Sequence, residues 1–222
     1  MKSKTGINAS EVVYEHLKNM ILTKQLQPGD RIPEVKVAEE LSVSRTPLRE
    51  AIRLLSNDGI VNINPNKYAE VAVFTDDDIR QIGEVRVVVE MMTAKLVLYY
   101  GSDADFDNLQ KLADECAQAY AVGDIINKIS KDAEFHLRFA ECSRNSVLMK
   151  FQKELMTRIE FIQATQEFSD AEDKHLLDYH SEIVRCLRAR DIKKIMGIIT
   201  EHFIQFYKLD EYYPENFFSL FT

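Results

Sequence analysis

The 222-residue sequence predicts a mainly α protein in two parts: a small helical domain with a β-hairpin, then an all-α antiparallel helical bundle. Three observations lead there. Apolar residues make up 45% of the chain, enough for real cores, and only 7 Gly and 5 Pro are present, few for a loop-rich all-β protein. Beyond about residue 75, apolar residues recur at helical spacing almost to the end. The breaks between those stretches are short, which makes consecutive helices antiparallel neighbours.

The elements follow in order. Glu11 to Thr23 carries Val13, Leu17, Met20 and Ile21 on one helical face. Gln27-Pro28-Gly29-Asp30 is a turn, and a short helix spans Glu34 to Leu41. Ser42-Val43-Ser44 breaks it. A further helix runs from Arg45 to Asn57, with Ser44 placed as N-cap and Pro47 in the first turn, where amides lack helical partners. Asp58-Gly59 ends that helix. Two β-rich pieces, Ile60–Ile63 and Glu70–Phe74, flank the turn-forming run Asn64-Pro65-Asn66-Lys67. Helix, helix-turn-helix and hairpin in this order describe a winged helix-turn-helix over residues 1–75.

After Thr75 the texture changes, and residues 76–222 form the second domain. Asp76, Asp77 and Asp78 are acids suited to a helix start, and Ser102 with Asp105 resembles a capping box. Helices are expected at roughly 77–100, 103–121, 124–142, 146–167, 173–189 and 191–209. The aromatic tail, Tyr212 to Thr222, is expected to pack on the bundle or at a dimer interface.

No run of about 18 apolar residues occurs, so no membrane span is expected. Met1 to Ser10 has lysines without an apolar stretch behind them and does not read as a secretory signal. Cys116, Cys142 and Cys186 are odd in number and lack short metal-type spacing, so they read as reduced core thiols of a cytoplasmic protein. The net charge of -8 argues at first against a nucleic-acid partner. Its distribution changes that view. Residues 1–75 hold 10 Lys+Arg against 9 Asp+Glu, a net of +1; the remaining 18 against 27 give -9 for residues 76–222. The acid lies in the second part, which hints at divided labour.

On the helix from Arg45, Leu48, Ala51, Ile52 and Leu55 share one face, while Arg49 and Arg53 point away and Arg45 sits near the edge at the N-terminal end. The N-terminal part of the second helix of a helix-turn-helix meets base edges in the major groove, and the Arg fork suits guanine O6 and N7. Ser44 and Thr46 are placed to donate to phosphate, and Lys67 at the wing tip to reach a neighbouring phosphate or the minor groove. The alternative for such arginines is a solvated face paired with acids such as Glu50.

Five runs then carry a resemblance: Gln27-Pro28-Gly29-Asp30-Arg31-Ile32, Val37-Ala38-Glu39-Glu40-Leu41, Val43 to Ala51, Leu54-Leu55 and Asp58-Gly59-Ile60-Val61. Over residues 10–74 the chain resembles the GntR family of bacterial regulators. The resemblance implies DNA contacts at Ser44, Arg45, Thr46 and Arg49, with a wing contribution near Asn66 and Lys67; Arg31, in the first run, is counted with the DNA-binding set. One departure is Tyr68, where the family usually has Gly, a residue that lets backbone approach DNA closely.

Five histidines occur, four of them in the second part, and helical spacing separates them. Asp132 and His136 are four apart, on a face with Ile129, Ala133 and Ala140. His180 shares its face with Leu176, Ile183, Val184 and Leu187, and His202 with Ile195, Ile198, Ile199 and Phe206. Three histidines and one aspartate thus point to a bundle interior from three helices. A buried ionised Asp needs a partner, and one divalent metal bound by Asp132, His136, His180 and His202 would supply it. The donor set suits zinc, and also nickel or manganese with water in open positions. The alternative for any one of these histidines is a satisfied core residue. His175 falls on the far side of its helix and His16 lies in the first part, so both read as structural.

Arg86-x-x-x-Glu90, Asp132-x-x-x-His136, His180 with Ile183, and His202 after Arg190-Asp191 resemble the FCD-type, FadR-like ligand-binding domain attached to many GntR regulators. That resemblance implies a helical bundle, a metal in many members and a small organic acid as effector. Arg86 sits at the edge of a stripe of Ile82, Val85, Val89 and Leu96, where it either pairs with Glu90 or holds an effector carboxylate. The expected function is a bacterial transcriptional repressor, homodimeric on an inverted-repeat operator, controlled by a small carboxylic acid at the metal site. Two alternatives are a constitutive dimeric DNA-binding protein with a structural metal, and a metal-dependent enzyme. The enzyme reading is weak: no G-x-S-x-G, H-E-x-x-H or P-loop occurs, and Glu172-x-x-His175 is the one E-x-x-H pair on offer.

Overall fold

A computed structural model describes residues 8–65, 68–165, 170–214 and 217–218, and only the backbone of residues 170–177. The chain divides into two compact units. One comprises the described residues up to Phe74 together with Thr157–Thr165; the other runs from Thr75 to Met156 and resumes after residue 165.

The first unit contains α1 (Ala9–Leu22), α2 (Glu34–Glu40), α3 (Arg45–Asn57) and an antiparallel hairpin of β1 (Val61–Asn64) and β2 (Tyr68–Val71). Asn8 caps α1 by accepting from the Ser10 amide. Val13, Leu17, Leu48, Leu55 and Ile60 fill the core because the apolar stripes of α1 and α3 face each other. Gly59, at φ +80°, stops α3 in the left-handed region that a β-carbon disfavours. A β-carbon there would also meet the Arg158 guanidinium at 2.7 Å. Strand β2 starts two residues earlier than expected and ends at Val71. The reason is tertiary: Ile32 donates to the Ala69 carbonyl and Val71 to that of Asp30, so the segment after the Gln27 turn forms a bridge, Arg31 to Glu70, that pins β2 from its outer side. The closing turn of the wing, Asn66 and Lys67, lies outside the described residues.

The second unit is helical: α4 (Asp76–Tyr100), α5 (Asp103–Ala121), α6 (Ile125–Cys142), the start of α7 (Ser146–Thr165), α8 (Asp170–Ala189) and α9 (Ile192–Tyr207), followed by one 3-10 turn at Leu209–Glu211. The mainly α fold read from the sequence is the fold found. Reciprocal capping boxes, Thr75 with Asp78 and Ser102 with Asp105, start α4 and α5. Helix α5 packs on α6 and α8, and α4 on α9. The described part of the tail packs on the start of α4: Arg80 donates to the Tyr213 hydroxyl at 2.8 Å, Tyr213 stacks on Phe217 at 4.3 Å, and Phe218 is buried.

The orientation of α4 differs from the expected stripe. Val85 is exposed, while Arg86 and Glu90 are 1% and 0% exposed. Apolar residues lie all round this 25-residue helix, so helical period alone does not select its inward face. Interior partners for the two charges do. Gly83 lies on the same inward face, and a β-carbon there would stand 2.5 Å from the Tyr207 ring. The glycine is what allows α9 to approach so closely.

Candidate functional site

In the first unit, Ser44, Arg45, Thr46 and Arg49 are all exposed at the N-terminal half of α3, opposite the buried Leu48, Ala51, Ile52 and Leu55. Ser44 occupies the N-cap position with extended backbone, yet its hydroxyl makes no capping bond, so it is not committed to the helix. Arg31 is exposed, and its guanidinium lies 3.9 Å from the centre of the Tyr68 ring. The side chain that departs from the Gly usual in the resembled family thus stacks on a basic residue of the same unit. Lys67 lies outside the described residues. His16 stands 3.7 Å from Glu40 within this unit.

In the second unit, Asp132, His136, His180 and His202 come together. All are buried. Asp132 Oδ1 lies 3.3 Å from His180 Nε2 and 3.9 Å from His136 Nε2, and the two Nε2 atoms are 3.3 Å apart. One ring nitrogen from each histidine fits within 4.8 Å of those of the other two. Separations of 3.3 Å are hydrogen-bond distances, and they are also short enough for the same atoms to share one ion. Protonation points the same way. Burial drives His180 down against the pull of Asp132, and drives His202 well below the ordinary histidine range with help from His180, His136 and Arg86. Burial alone would raise Asp132, but the His180 hydrogen bond and the positive charge around it, that of Arg86 included, hold it well below the usual carboxylate range. For His180, His202 and Asp132 these are the forms, neutral imidazole and ionised carboxylate, that a metal requires.

The surroundings orient this group. Glu90 Oε1 lies 2.9 Å from His136 Nδ1, the carboxylate–imidazole arrangement that fixes a ligand ring. Gln152 on α7 donates to the same Glu90 oxygen. Arg86 Nε is 3.8 Å from Glu90 Oε1, Nη1 donates to the Tyr207 hydroxyl at 3.0 Å, and the guanidinium lies 4.6 Å over the Phe203 ring. Of the two readings of Arg86, the pairing with Glu90 is present, and Nε and Nη2 are buried without a hydrogen-bond partner among the described residues. Unanswered donors beside a metal-capable cluster suit an incoming carboxylate. Glu90 as a partner of His136, Gln152 and Tyr207 were not foreseen as members of this centre. Gln152 and Tyr207 have no diagnostic spacing; for Glu90 the available signal was its offset of four from Arg86 on an otherwise apolar helix. The side chain of His175 is not among those described.

A helix-turn-helix head with a basic reading face, carried on the same chain as a helical domain around a buried polar centre, defines a transcription regulator with its own sensory domain. The comparisons agree and name the family. Residues 9–71 match the model for bacterial regulatory proteins of the gntR family, and residues 81–205 that of the FCD domain. The chain belongs to the GntR family and carries an FCD domain. It is 26% identical to the uncharacterised HTH-type transcriptional regulator YdhC of Bacillus subtilis over 86% of this chain and 85% of that protein. It is 31% identical to the Nta operon transcriptional regulator of Aminobacter aminovorans, over 64% of this chain and 67% of the relative. Among solved structures, Escherichia coli McbR/YncC shares the fold, with a TM-score of 0.78 at 22% identity, covering 93% of this chain and all of that one. These families and relatives are transcriptional regulators, not enzymes, so the chain is a DNA-binding regulator of transcription. Among the described residues, no helix is long and apolar enough to cross a membrane.

Proposed function

We propose that this regulator is a cytoplasmic repressor that binds an inverted-repeat operator as a homodimer, and that a small carboxylic acid bound beside a divalent metal sets its operator affinity. Residues 1–75 read DNA and residues 76–222 sense the acid. One observation carries the proposal: His136, His180, His202 and Asp132 converge beside Arg86, whose Nε and Nη2 have no hydrogen-bond partner among the described residues. Asp132, His136, His180 and His202 would hold the ion, with zinc favoured by the donor set and nickel or manganese as alternatives. When bound, the ion would supply positive charge and, at a coordination number above four, a position for a carboxylate oxygen. Arg86 binds the rest of the acid through its free donors, and Glu90 keeps the His136 ring aligned. A single head offers few base contacts, so two heads on an inverted repeat supply the affinity. Such coupling typically amounts to about 1–3 kcal/mol, enough for a clear shift in a DNA titration.

Native mass spectrometry of the purified protein is expected to show about one divalent ion per chain, as for a site with four protein ligands. Chelator is expected to lower the melting temperature, because an ion bound to the folded state alone stabilises it. His180→Ala and His202→Ala should both lose the ion. Wild-type metal content in both proteins would remove these residues from the ligand set. Gel-shift titrations with a panel of hydroxy-, keto- and dicarboxylic acids test the second half: one class should release the operator. An operator affinity indifferent to the whole panel would favour a constitutive DNA-binding protein.

A further inference from the structure

Helix α5 brings one more donor to the same centre. Cys116 is 0% exposed, and its Sγ, a carboxylate oxygen of Asp132 and a ring nitrogen of His180 all lie within 4.8 Å of one another. The thiol donates at 3.5 Å to the carbonyl of Lys128, one turn before Asp132 on α6. Its two near neighbours, Asp132 and His180, are themselves 3.3 Å apart and are half of the proposed ligand set. Among the described residues, Cys142 and Cys186 belong to no metal-capable group, although both are also buried. One of three thiols in the chain therefore stands within reach of an ion that Asp132 and His180 would share.

We propose that Cys116 is a thiolate ligand of this metal centre, making it a mixed sulfur, nitrogen and oxygen site. The inference rests on the reading of Asp132, His136, His180 and His202 as ligands. When the ion binds, a sulfur–metal bond forms and the thiol proton leaves to solvent; nothing is oxidised or reduced. A soft thiolate moves preference away from manganese and magnesium and toward zinc and cobalt(II). The sequence hides this ligand because Cys116 has no partner at C-x-x-C spacing; it is brought in by the packing of α5 on α6.

A thiol that merely hydrogen-bonds near the centre would also matter for affinity, since groups that orient metal ligands are typically worth about 10–100-fold. Affinity alone does not separate the two roles, so the test reads the bond itself. The full chain, stripped of metal, is titrated with cobalt(II) and followed by optical absorption. The expected result is weak visible ligand-field bands together with a strong near-ultraviolet sulfur-to-cobalt charge-transfer band. Cys116→Ala and Cys116→Ser should keep the visible bands and lose the charge-transfer band; Cys142→Ala and Cys186→Ala should keep both. Visible bands without charge transfer in the wild-type protein would overturn the proposal while leaving the Asp132 and histidine site standing. No bands at all would overturn both. The wild-type spectrum decides even where a Cys116 variant fails to fold, and a charge-transfer band lost on replacing Cys142 or Cys186 instead would also overturn it.

Discussion

Arg86→Ala is expected to cost about 3 kcal/mol of folding stability and to abolish the response to the effector acid. Breaking a buried ion pair by removing one partner typically costs about 3–5 kcal/mol, because the other charge is left behind. Here Glu90 keeps the His136 ring at 2.9 Å and the Gln152 amide, which places the loss at the lower end. Loss of the guanidinium over Phe203 and of the Tyr207 hydrogen bond adds to it. Burial lowers the Arg86 pKa, but Tyr207, whose hydroxyl accepts from it, and the carboxylates of Glu90 and Asp132 outweigh that, and the group stays cationic. Arg86→Lys separates stability from recognition: it retains a cation for Glu90 but lacks the planar fork that grips a carboxylate with two bonds. Chemical denaturation and calorimetry with the cognate acid, run on both variants, check this. An Arg86→Lys protein that binds the acid as tightly as wild type would reduce Arg86 to a structural partner of Glu90.

Arg45→Ala and Arg49→Ala are each expected to weaken operator binding by about 1–3 kcal/mol if the side chain bonds a guanine bidentately. Both residues are exposed, so neither change should alter the melting temperature, and the loss is one of recognition. Arg45→Ala should in addition relax base preference at one position of each half-site. Wild-type binding should weaken steeply as salt rises, since phosphate contacts release counterions, and Arg31→Ala should reduce that slope with little change in sequence preference. Footprinting and fluorescence anisotropy over a range of salt measure each of these. Unchanged operator affinity in both the Arg45 and the Arg49 variants would move the reading surface elsewhere.

The helices of both units were legible to within a few residues at each end, because capping residues and short polar breaks are local signals. Ser102 with Asp105 is one such signal, and the box it predicts is present. The convergence of His136, His180 and His202 was legible for a related reason: each lies on the apolar stripe of its helix, and stripes face inward. Where the controlling contact is tertiary, the sequence misleads. Val85 reads as inward and Arg86 as marginal, yet the charges of Glu90 and Asp132 draw the arginine inside. The offset of β2 has the same origin, since the Arg31 to Glu70 bridge joins residues 39 positions apart. Ser44 shows the limit from the other side: the N-cap position is as expected, but the bond is not made.

The close approach at Gly83 has a genetic consequence. Alanine is favoured over glycine in a helix interior by roughly 1 kcal/mol, so local preference alone would replace this residue. A methyl group there meets the Tyr207 ring at 2.5 Å, and overpacking a tight contact typically costs about 1–3 kcal/mol, so the crowding wins. Tyr207 is also the partner of Arg86 Nη1, which makes the displaced ring the one that holds the guanidinium. On the proposed mechanism, a selection for regulators that stay on DNA in the presence of inducer should therefore return changes at codon 83, outside the set of residues that read the operator. Gly83→Ala is expected to fold, to occupy the operator as wild type does, and to respond only at a raised acid concentration. A wild-type dose–response curve in the Gly83→Ala strain would show that the Tyr207 contact does not tune the sensor.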